Sequence, residues 1–456
     1  MREKGEQRSA SVVAGLAAFL APFMGSSVNI ALPSIGREFR ADAVTLGWVA
    51  TAYLLAAAVF LVPFGRLADI HGRKKVFLLG ITAYTIASLL CGLSRSTEAL
   101  IVSRVAQGIG AALIFGTSVA ILTSVFPRGE RGRALGINTA AIYLGLSLGP
   151  VLGGLLTHQL GWRSIFLVNI PLGILIIAVV LARLKGEWAE ARGEKFDIFG
   201  SAAYGLTLVG IMLGFSRLPH RTGFWLFGAG LIVAAGFVVR ERKTACPVLD
   251  IGLFLRNRVF AFSNLAALIN YSATFAVGFF LSLYLQYIKG MSPQSAGLIM
   301  IAQPVMMTLF SPLAGRASDR IEPRVVSSAG MAISSAGLFL LAFLRGATPL
   351  AFVISSLALL GFGFALFSSP NTNAVMNSVE KKSYGVASAT LGTMRLVGQM
   401  TSMGVAMMIL AVFVGRVQIA PASHGAFLQA LRVGFWLFSG LCFAGVFASL
   451  ARGNRQ

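Results

Sequence analysis

Fourteen apolar runs of membrane-spanning length divide this 456-residue chain, and they constrain its fold more than any other feature. A hydrophobic stretch of about 20 residues crosses the hydrocarbon core of a bilayer as one α-helix. Turn or charge signals separate the runs, whose centres lie near residues 22, 54, 85, 110, 145, 174, 208, 232, 272, 304, 335, 360, 400 and 439. The sequence therefore predicts an all-α integral membrane protein with 14 transmembrane helices.

The composition agrees with a membrane protein. Hydrophobic residues make up 56% of the chain and charged residues only 12%, about half the charged share of an ordinary soluble domain. The formal net charge of +22 would suggest nucleic acid in a soluble protein, but the basic residues lie almost wholly in short gaps between apolar runs. We therefore expect a lipid bilayer, and no nucleic acid, as a partner. The three cysteines fall in different segments and indicate neither a disulfide framework nor a metal site.

The positions of Lys and Arg predict the orientation. If the N-terminus is cytoplasmic, the inner segments hold 26 of the 38 basic residues and the outer loops hold 9. Cytoplasmic loops of membrane proteins carry such an excess of positive charge. We expect a multi-pass protein of the inner (cytoplasmic) membrane with both termini inside. The first apolar run is long enough to span the membrane, so we interpret it as the first helix rather than a cleaved signal peptide.

A basic loop recurs in the second half of the chain. Residues 65–75 read GRLADIHGRKK and residues 315–324 read GRASDRIEPR, and each segment lies between two apolar runs. A duplicated unit would place its second copy at this position. The repeat predicts two pseudo-symmetric six-helix bundles, residues 1–184 and 259–456. Residues 185–258 would contain cytoplasmic linkers and two extra central helices.

The first copy of the loop resembles the signature between the second and third helices of the major facilitator superfamily. The matching positions are Gly65, Asp69, Gly72, Arg73 and Lys74. Glycines let helix ends approach closely, and a carboxylate near an arginine can form an ion pair. The resemblance implies a conformational latch at these residues, with Asp319 and Arg320 as the counterparts in the second copy.

The end of the first helix, Asn29-Ile30-Ala31-Leu32-Pro33, resembles that of the fourteen-helix drug:proton antiporter branch of the same superfamily. The resemblance implies outward transport of small molecules coupled to protons. The acid that commonly stands five residues before the asparagine is replaced here by Met24. We expect Met24 and Asn29 to line the substrate cavity, with a hydrogen bond from Asn29 to a neighbouring helix as the alternative.

The fourth span contains Arg104-Val105-Ala106-Gln107-Gly108, which resembles the R-x-x-Q-G motif of the family. The resemblance implies a part in proton coupling for Arg104, and we expect Gln107 to line the cavity. A charge inside hydrocarbon is costly, so the arginine should face water or a partner; the alternative is an arginine that reaches the outer surface. Because Met24 is apolar, coupling would otherwise depend on Asp69, on Glu98 or on protons of the substrate.

The fifth span matches every fixed position of the antiporter motif of drug exporters. These positions are Gly145, Gly149, Pro150, Gly153 and Gly154. Glycines four residues apart give a helix a flat face for close contact, and a proline permits bending. The resemblance favours export over uptake.

Polar residues in the second half are further candidates for the cavity wall. They are Tyr284, Gln286, Gln303, Asn371, Asn373, Arg395 and Gln399. Each amide either lines the cavity or bonds to another helix. All sixteen acids fall in loops, tails or helix ends by these span assignments, so we expect a positive cavity that disfavours strongly cationic substrates.

These patterns together predict a secondary transporter that exports small amphipathic molecules, by proton antiport and alternating access. We expect it to act as a monomer without metal or other cofactor. One alternative is an exporter or facilitator of an organic anion or metabolite without proton coupling. Another is a non-transporting sensor with the same fold, which would tolerate loss of Asp69 and Arg104. A membrane enzyme would need a nucleophile, a metal cluster or paired carboxylates, and the sequence offers none.

Overall fold

The computed structural model describes residues 2–127, 130–184, 186–189, 191–194, 196–244, 248–249, 251–380 and 384–453. Within these ranges it describes all side chains except those of residues 2–6, 131–133, 135, 319 and 385. In this part of the chain, 14 helical spans are long and apolar enough to cross a membrane, and each contains one predicted centre. The predicted all-α fold with 14 transmembrane helices is therefore confirmed.

The first six spans consist of seven helices, since Val168 divides the sixth span in two. Their bounds are α1 Arg2–Phe39, α2 Ala43–His71, α3 Arg73–Leu93, α4 Thr97–Val125, α5 Arg131–Leu160, α6 Ser164–Leu167 and α7 Asn169–Arg183. Helix α1 packs on α5, both α2 and α3 pack on α4, and α7 packs on α1 and α3. We call α1–α7 the N-terminal bundle.

The remaining eight spans follow after the linker. Their helices are α8 Ile198–Arg217, α9 Arg221–Glu241, the short α10 Ile251–Arg256, α11 Arg258–Thr274, α12 Ala276–Leu283 with a π-helical turn Tyr284–Ile288, α13 Pro293–Met300, α14 Ala302–Arg320, α15 Pro323–Leu341, α16 Leu350–Asn377, α17 Tyr384–Phe413 and α18 His424–Leu450. Helix α15 packs on α16 and α18, and α11 packs on α17 and α18. We call α11–α18 the C-terminal bundle. The domain boundaries given above remain predictions.

Helix α8 of the extra pair lies against both bundles, and α9 packs on α8. Helix α8 packs on α2 of the N-terminal bundle and on α17 of the C-terminal bundle. The Tyr204 hydroxyl donates to the Ala58 carbonyl at 3.1 Å, and Arg416 Nη2 donates to the Ser216 carbonyl at 3.1 Å. Helix α8 therefore covers the seam at which α2 and α17 meet.

An even number of spans puts both chain termini at one end of the protein. We call it the terminus end, and the opposite one the far end. The bundles touch at the far end, where Gln286 Nε2 donates to the Ile30 carbonyl at 2.9 Å and the Ala43 N–H donates to the Val417 carbonyl at 3.4 Å. The far end is closed in this structure.

Candidate functional site

The loop at residues 65–75 forms a sharp turn between α2 and α3 at the terminus end. Gly72 has a φ of 118°, which favours glycine over any residue with a side chain. Arg73 Nε donates to Asp69 Oδ1 at 2.8 Å, and Arg73 Nη1 donates to the Ser124 hydroxyl near the end of α4 at 2.7 Å. The structure thus brings Asp69 and Arg73 together, and their contacts join α2, α3 and α4.

A segment beyond α7 packs on this loop. Residues 186–189 and 191–194 make up what we call the linker segment. Glu187 Oε1 accepts a hydrogen bond from the Lys74 N–H at 2.9 Å, in the first turn of α3, and Glu194 pairs with Arg66. Neither contact is predicted above, because the two acids lie 113 and 128 residues along the chain from their partners. The sequence places these acids and the basic loop at residues 65–75 on the same predicted side of the membrane, which is the signal that could have suggested a contact.

The second copy of the loop is built differently. Helix α14 continues to Arg320, whose side chain is exposed, while the side chain of Asp319 lies outside the described residues. Arg324 Nε donates to Glu322 Oε2 two residues earlier in the chain. The latch role of Asp319 and Arg320 stays a prediction.

Arg104 lies inside the N-terminal bundle with 1% of its surface exposed. Its Nε donates to the Val49 carbonyl at 3.0 Å, and its Nη1 donates to Gln107 Oε1. Gln107 Nε2 in turn donates to the Ser88 hydroxyl at 2.8 Å, and the guanidinium lies 4.4 Å from the Tyr53 ring centroid. Arg104 therefore faces partners, as one of our two expectations required, and neither it nor Gln107 is exposed to a cavity.

The three candidates for proton coupling occupy different levels of the N-terminal bundle. Glu98 is exposed in the first turn of α4 at the far end, Asp69 lies at the terminus end, and Arg104 lies two turns inside α4. Among the described residues, each acid within a span lies within two residues of the end of that span; these acids are Glu38, Asp69, Glu98 and Glu241. The structure therefore does not assemble the candidates into one relay, and their role stays a prediction.

Met24 and Asn29 face different neighbours. Met24 is fully buried, and its sulfur lies 2.9 Å from Asn169 Nδ2 on α7. Helix α7 covers it in this conformation, and its cavity role stays a prediction. Asn29 faces α12, where its Nδ2 lies 3.3 Å from the position that a Cβ on Gly278 would occupy. Asn29 therefore lies at the contact between the two bundles.

The glycine motif of α5 serves two contacts. Three glycines face α1, where an added Cβ would lie 2.5 to 2.7 Å from α1 atoms: Gly145, Gly149 and Gly153. A Cβ on Gly154 would lie 2.5 Å from the Pro293 carbonyl of α13, and a Cβ on Gly297 would lie 2.1 Å from the Pro150 carbonyl. The motif thus lets α5 approach its own bundle on one side and the C-terminal bundle on the other.

Arg395 on α17 is a half-buried cation within a span of the C-terminal bundle. Its Nη2 donates to the Thr372 hydroxyl at 2.7 Å, and its guanidinium lies 5.8 Å from the Tyr271 ring centroid. Its buried Nε has no hydrogen-bond partner within the described ranges. An unsatisfied buried donor on a cation favours binding of an anionic or electron-rich group.

The other candidates of the second half differ in burial. Gln303, Asn373 and Gln399 are half-buried, whereas Tyr284, Gln286 and Asn371 are buried. The Tyr284 hydroxyl donates to the Arg345 carbonyl at 2.7 Å, and Asn373 Nδ2 donates to the Ser318 hydroxyl at 2.9 Å. Neighbouring helices enclose the buried three in this conformation. The cavity roles of all six stay predictions.

The chain matches a known protein family. A family model described as Major Facilitator Superfamily matches residues 14–255 and 263–455. The chain belongs to the major facilitator superfamily. Members of this superfamily are membrane transporters and not enzymes, so both of these predictions are confirmed.

Individual relatives and a solved structure agree with this family. The chain is 30% identical over 435 residues to the riboflavin transporter RibZ of Clostridioides difficile (strain 630), with 95% of each chain covered. It is 34% identical over 403 residues to the cephamycin export protein CmcT of Amycolatopsis lactamdurans, which covers 86% of this chain and 82% of the relative. A bacterial homologue of the human lysosomal transporter Spinster shares the fold, with a TM-score of 0.72, 17% identity and coverage of 98% and 97%.

Proposed function

We propose that this chain exports small amphipathic molecules across the cytoplasmic membrane by alternating access of its two bundles. The terminus end would face the cytoplasm, in agreement with the excess of basic residues in the segments at that end. The protein would act as a monomer. The similarity to CmcT, a cephamycin export protein, supports the direction of transport.

The closed far end supports the alternating-access mechanism. Helices α5 and α13 pack closely at Gly154 and Gly297, because neither residue has a side chain to keep the two backbones apart. Such contacts can separate without the rearrangement of large side chains. In the proposed cycle, the bundles separate at the far end and close at the terminus end.

The unpaired Nε of Arg395 is the main evidence for the proposed substrate class. Its Nε lacks a partner among the described residues, and no described acid lies in the middle of a span. A cation without a carboxylate nearby attracts anionic and electron-rich groups and repels cations. We therefore propose neutral or anionic amphipathic substrates.

Proton antiport is the proposed source of energy. The proton would be carried by Asp69 or Glu98 at the ends of spans, with Arg104 coupling charge inside the bundle, or by the substrate itself. The test is uptake of cationic, neutral and anionic fluorescent amphiphiles into inside-out vesicles, with and without a protonophore. We expect neutral or anionic probes to accumulate and the protonophore to abolish their accumulation. If no probe enters the vesicles faster than in vesicles without the protein, export is contradicted and a non-transporting protein is favoured.

A second candidate function is an uncoupled facilitator of organic anions. Met24 favours it, because this buried thioether occupies the position where the drug:proton antiporter branch commonly has an acid. In the same vesicles, a facilitator would equilibrate anionic probes without accumulating them, and the protonophore would have no effect on the initial rate.

A further inference from the structure

An apolar groove opens on the outer face of the C-terminal bundle near the terminus end. Its volume is about 280 Å³, and it lies between α11 and α17 beside the short helix α10. Its lining residues are Phe254, Ala261, Phe262, Leu265, Leu268 and Met394. Leu265 is 40% exposed although it belongs to a membrane span. The groove therefore faces the hydrocarbon of the leaflet at the terminus end.

The cationic side chain of Arg258 lies at the mouth of this groove. Arg258 is exposed in the first turn of α11, and its guanidinium lies 5.6 Å from the ring centroid of Phe262, one of the lining residues. Arg258 Nε donates to the Ala451 carbonyl at 2.9 Å, just beyond the end of α18. Arg256, the last residue of α10, is also exposed. The mouth thus combines an aromatic wall with exposed positive charge.

A second, buried cation lies beside the first. Arg452 follows Ala451 in the chain, only 2% of its surface is exposed, and none of its three guanidinium nitrogens has a hydrogen-bond partner in the described structure. Burial lowers the pKa of Arg452 to about 9, which leaves the side chain protonated at neutral pH. A buried cation without a counter-ion is costly, and an anion held nearby would offset part of that cost.

We infer that this groove binds an anionic phospholipid, with an acyl chain against the apolar lining and the phosphate at Arg258. Arg452 contributes positive potential from behind Arg258 rather than a direct contact. A lipid fits better than a free phosphate, because the cation continues directly into an apolar groove that opens to the bilayer. The inference does not depend on which solute the protein transports.

The test uses the purified full-length protein and native mass spectrometry. Phosphatidylglycerol and phosphatidylcholine with identical acyl chains are titrated separately, and the bound lipid is counted. We expect phosphatidylglycerol to bind more tightly, and Arg258→Gln to weaken that binding about tenfold, because one charge-assisted contact is lost. Arg242→Gln is the matched control, since Arg242 is exposed at the end of α9 on the same side of the membrane; it should leave binding unchanged.

Filling the groove tests the apolar half of the site. Leu265→Trp is suitable because the side chain is partly exposed, and Ala261→Phe is a second variant if the first does not fold. Either variant should weaken phosphatidylglycerol binding while Arg258 is retained. Equal binding of the two lipids, unchanged binding after the groove is filled, or equally tight binding of glycerol phosphate without acyl chains would each overturn the inference.

Discussion

At the scale of single residues, Arg104 holds a positive charge inside the N-terminal bundle without a carboxylate partner in the described structure. The Val49 carbonyl and Gln107 Oε1 accept its hydrogen bonds, and the faces of Tyr53 and Phe166 surround it. Backbone and amide dipoles with aromatic rings thus take the place of a counter-ion. The buried charge of Arg104 is therefore fully hydrogen-bonded only while both acceptors are present.

Gln107→Leu should therefore destabilise the protein by about 1–3 kcal/mol, because Arg104 Nη1 and the Ser88 hydroxyl both lose a partner. The measurement is thermal unfolding of the purified protein in detergent. The double variant Arg104→Met with Gln107→Leu should lose less than the single variant, because no buried charge then remains unpaired. Gln429→Leu, on the exposed face of α18, is the control. Additive losses in the double variant would contradict this account.

The ion pair of Asp197 with Arg240 should make the stability of the protein depend on pH. Arg240 donates to both carboxylate oxygens of Asp197 at 2.6 and 2.7 Å, and these hydrogen bonds lower the pKa of Asp197 below its usual range. Asp197 also caps α8 through the Gly200 N–H, a role that asparagine can keep.

Asp197→Asn should cost about 0.5–1 kcal/mol at pH 7, since Arg240 is partly exposed. A lowered carboxyl pKa stabilises the folded state above the unfolded pKa, and this contribution is lost as the pH falls through the folded pKa. The stability difference between the native protein and the variant should therefore shrink below roughly pH 4. Unfolding in urea at a series of pH values measures it, and a constant difference down to pH 3 would refute the ion pair as its source.

At the scale of elements, α5 joins the two bundles at the far end through backbone contacts. Gly154→Ala should destabilise this closed state by about 1–3 kcal/mol, because the added Cβ would meet the Pro293 carbonyl. Gly136→Ala on the same helix is a matched control, since an added Cβ there meets nothing within 4 Å. Alanine should stabilise that position by about 0.5–1 kcal/mol. Thermal unfolding compares the two, and equal shifts would argue against the close contact of α5 with α13.

The linker segment is the second element with a testable role. Glu187 caps α3 through the Lys74 N–H, so Glu187→Ala should cost about 0.5–2 kcal/mol. Glu130→Ala is the control, because Glu130 precedes α5 without making a side-chain cap. If both variants unfold at the same temperature, the linker segment does not brace the loop at residues 65–75.

At the scale of the whole molecule, the spans could be predicted because a run of about 20 apolar residues has one stable form in a bilayer. The turn at Gly72 and the pair Asp69–Arg73 could be predicted because they are local in sequence. Contacts such as Met24 with Asn169 could not, since the packing of helices distant in sequence decides them. The same limit hid Glu187 and left the partners of Arg104 undetermined.

The central claim at this scale is that the positive site at Arg395 selects neutral and anionic solutes. The most direct test is the ratio of anionic to cationic probe uptake in inside-out vesicles, for the native protein, Arg395→Gln and Arg432→Gln. Arg432 is an exposed arginine within a span of the same bundle and serves as the control. We predict that Arg395→Gln raises the KM for anionic probes about tenfold, and that Arg432→Gln changes nothing. An unchanged ratio in Arg395→Gln, or native uptake that favours cations, would contradict the account.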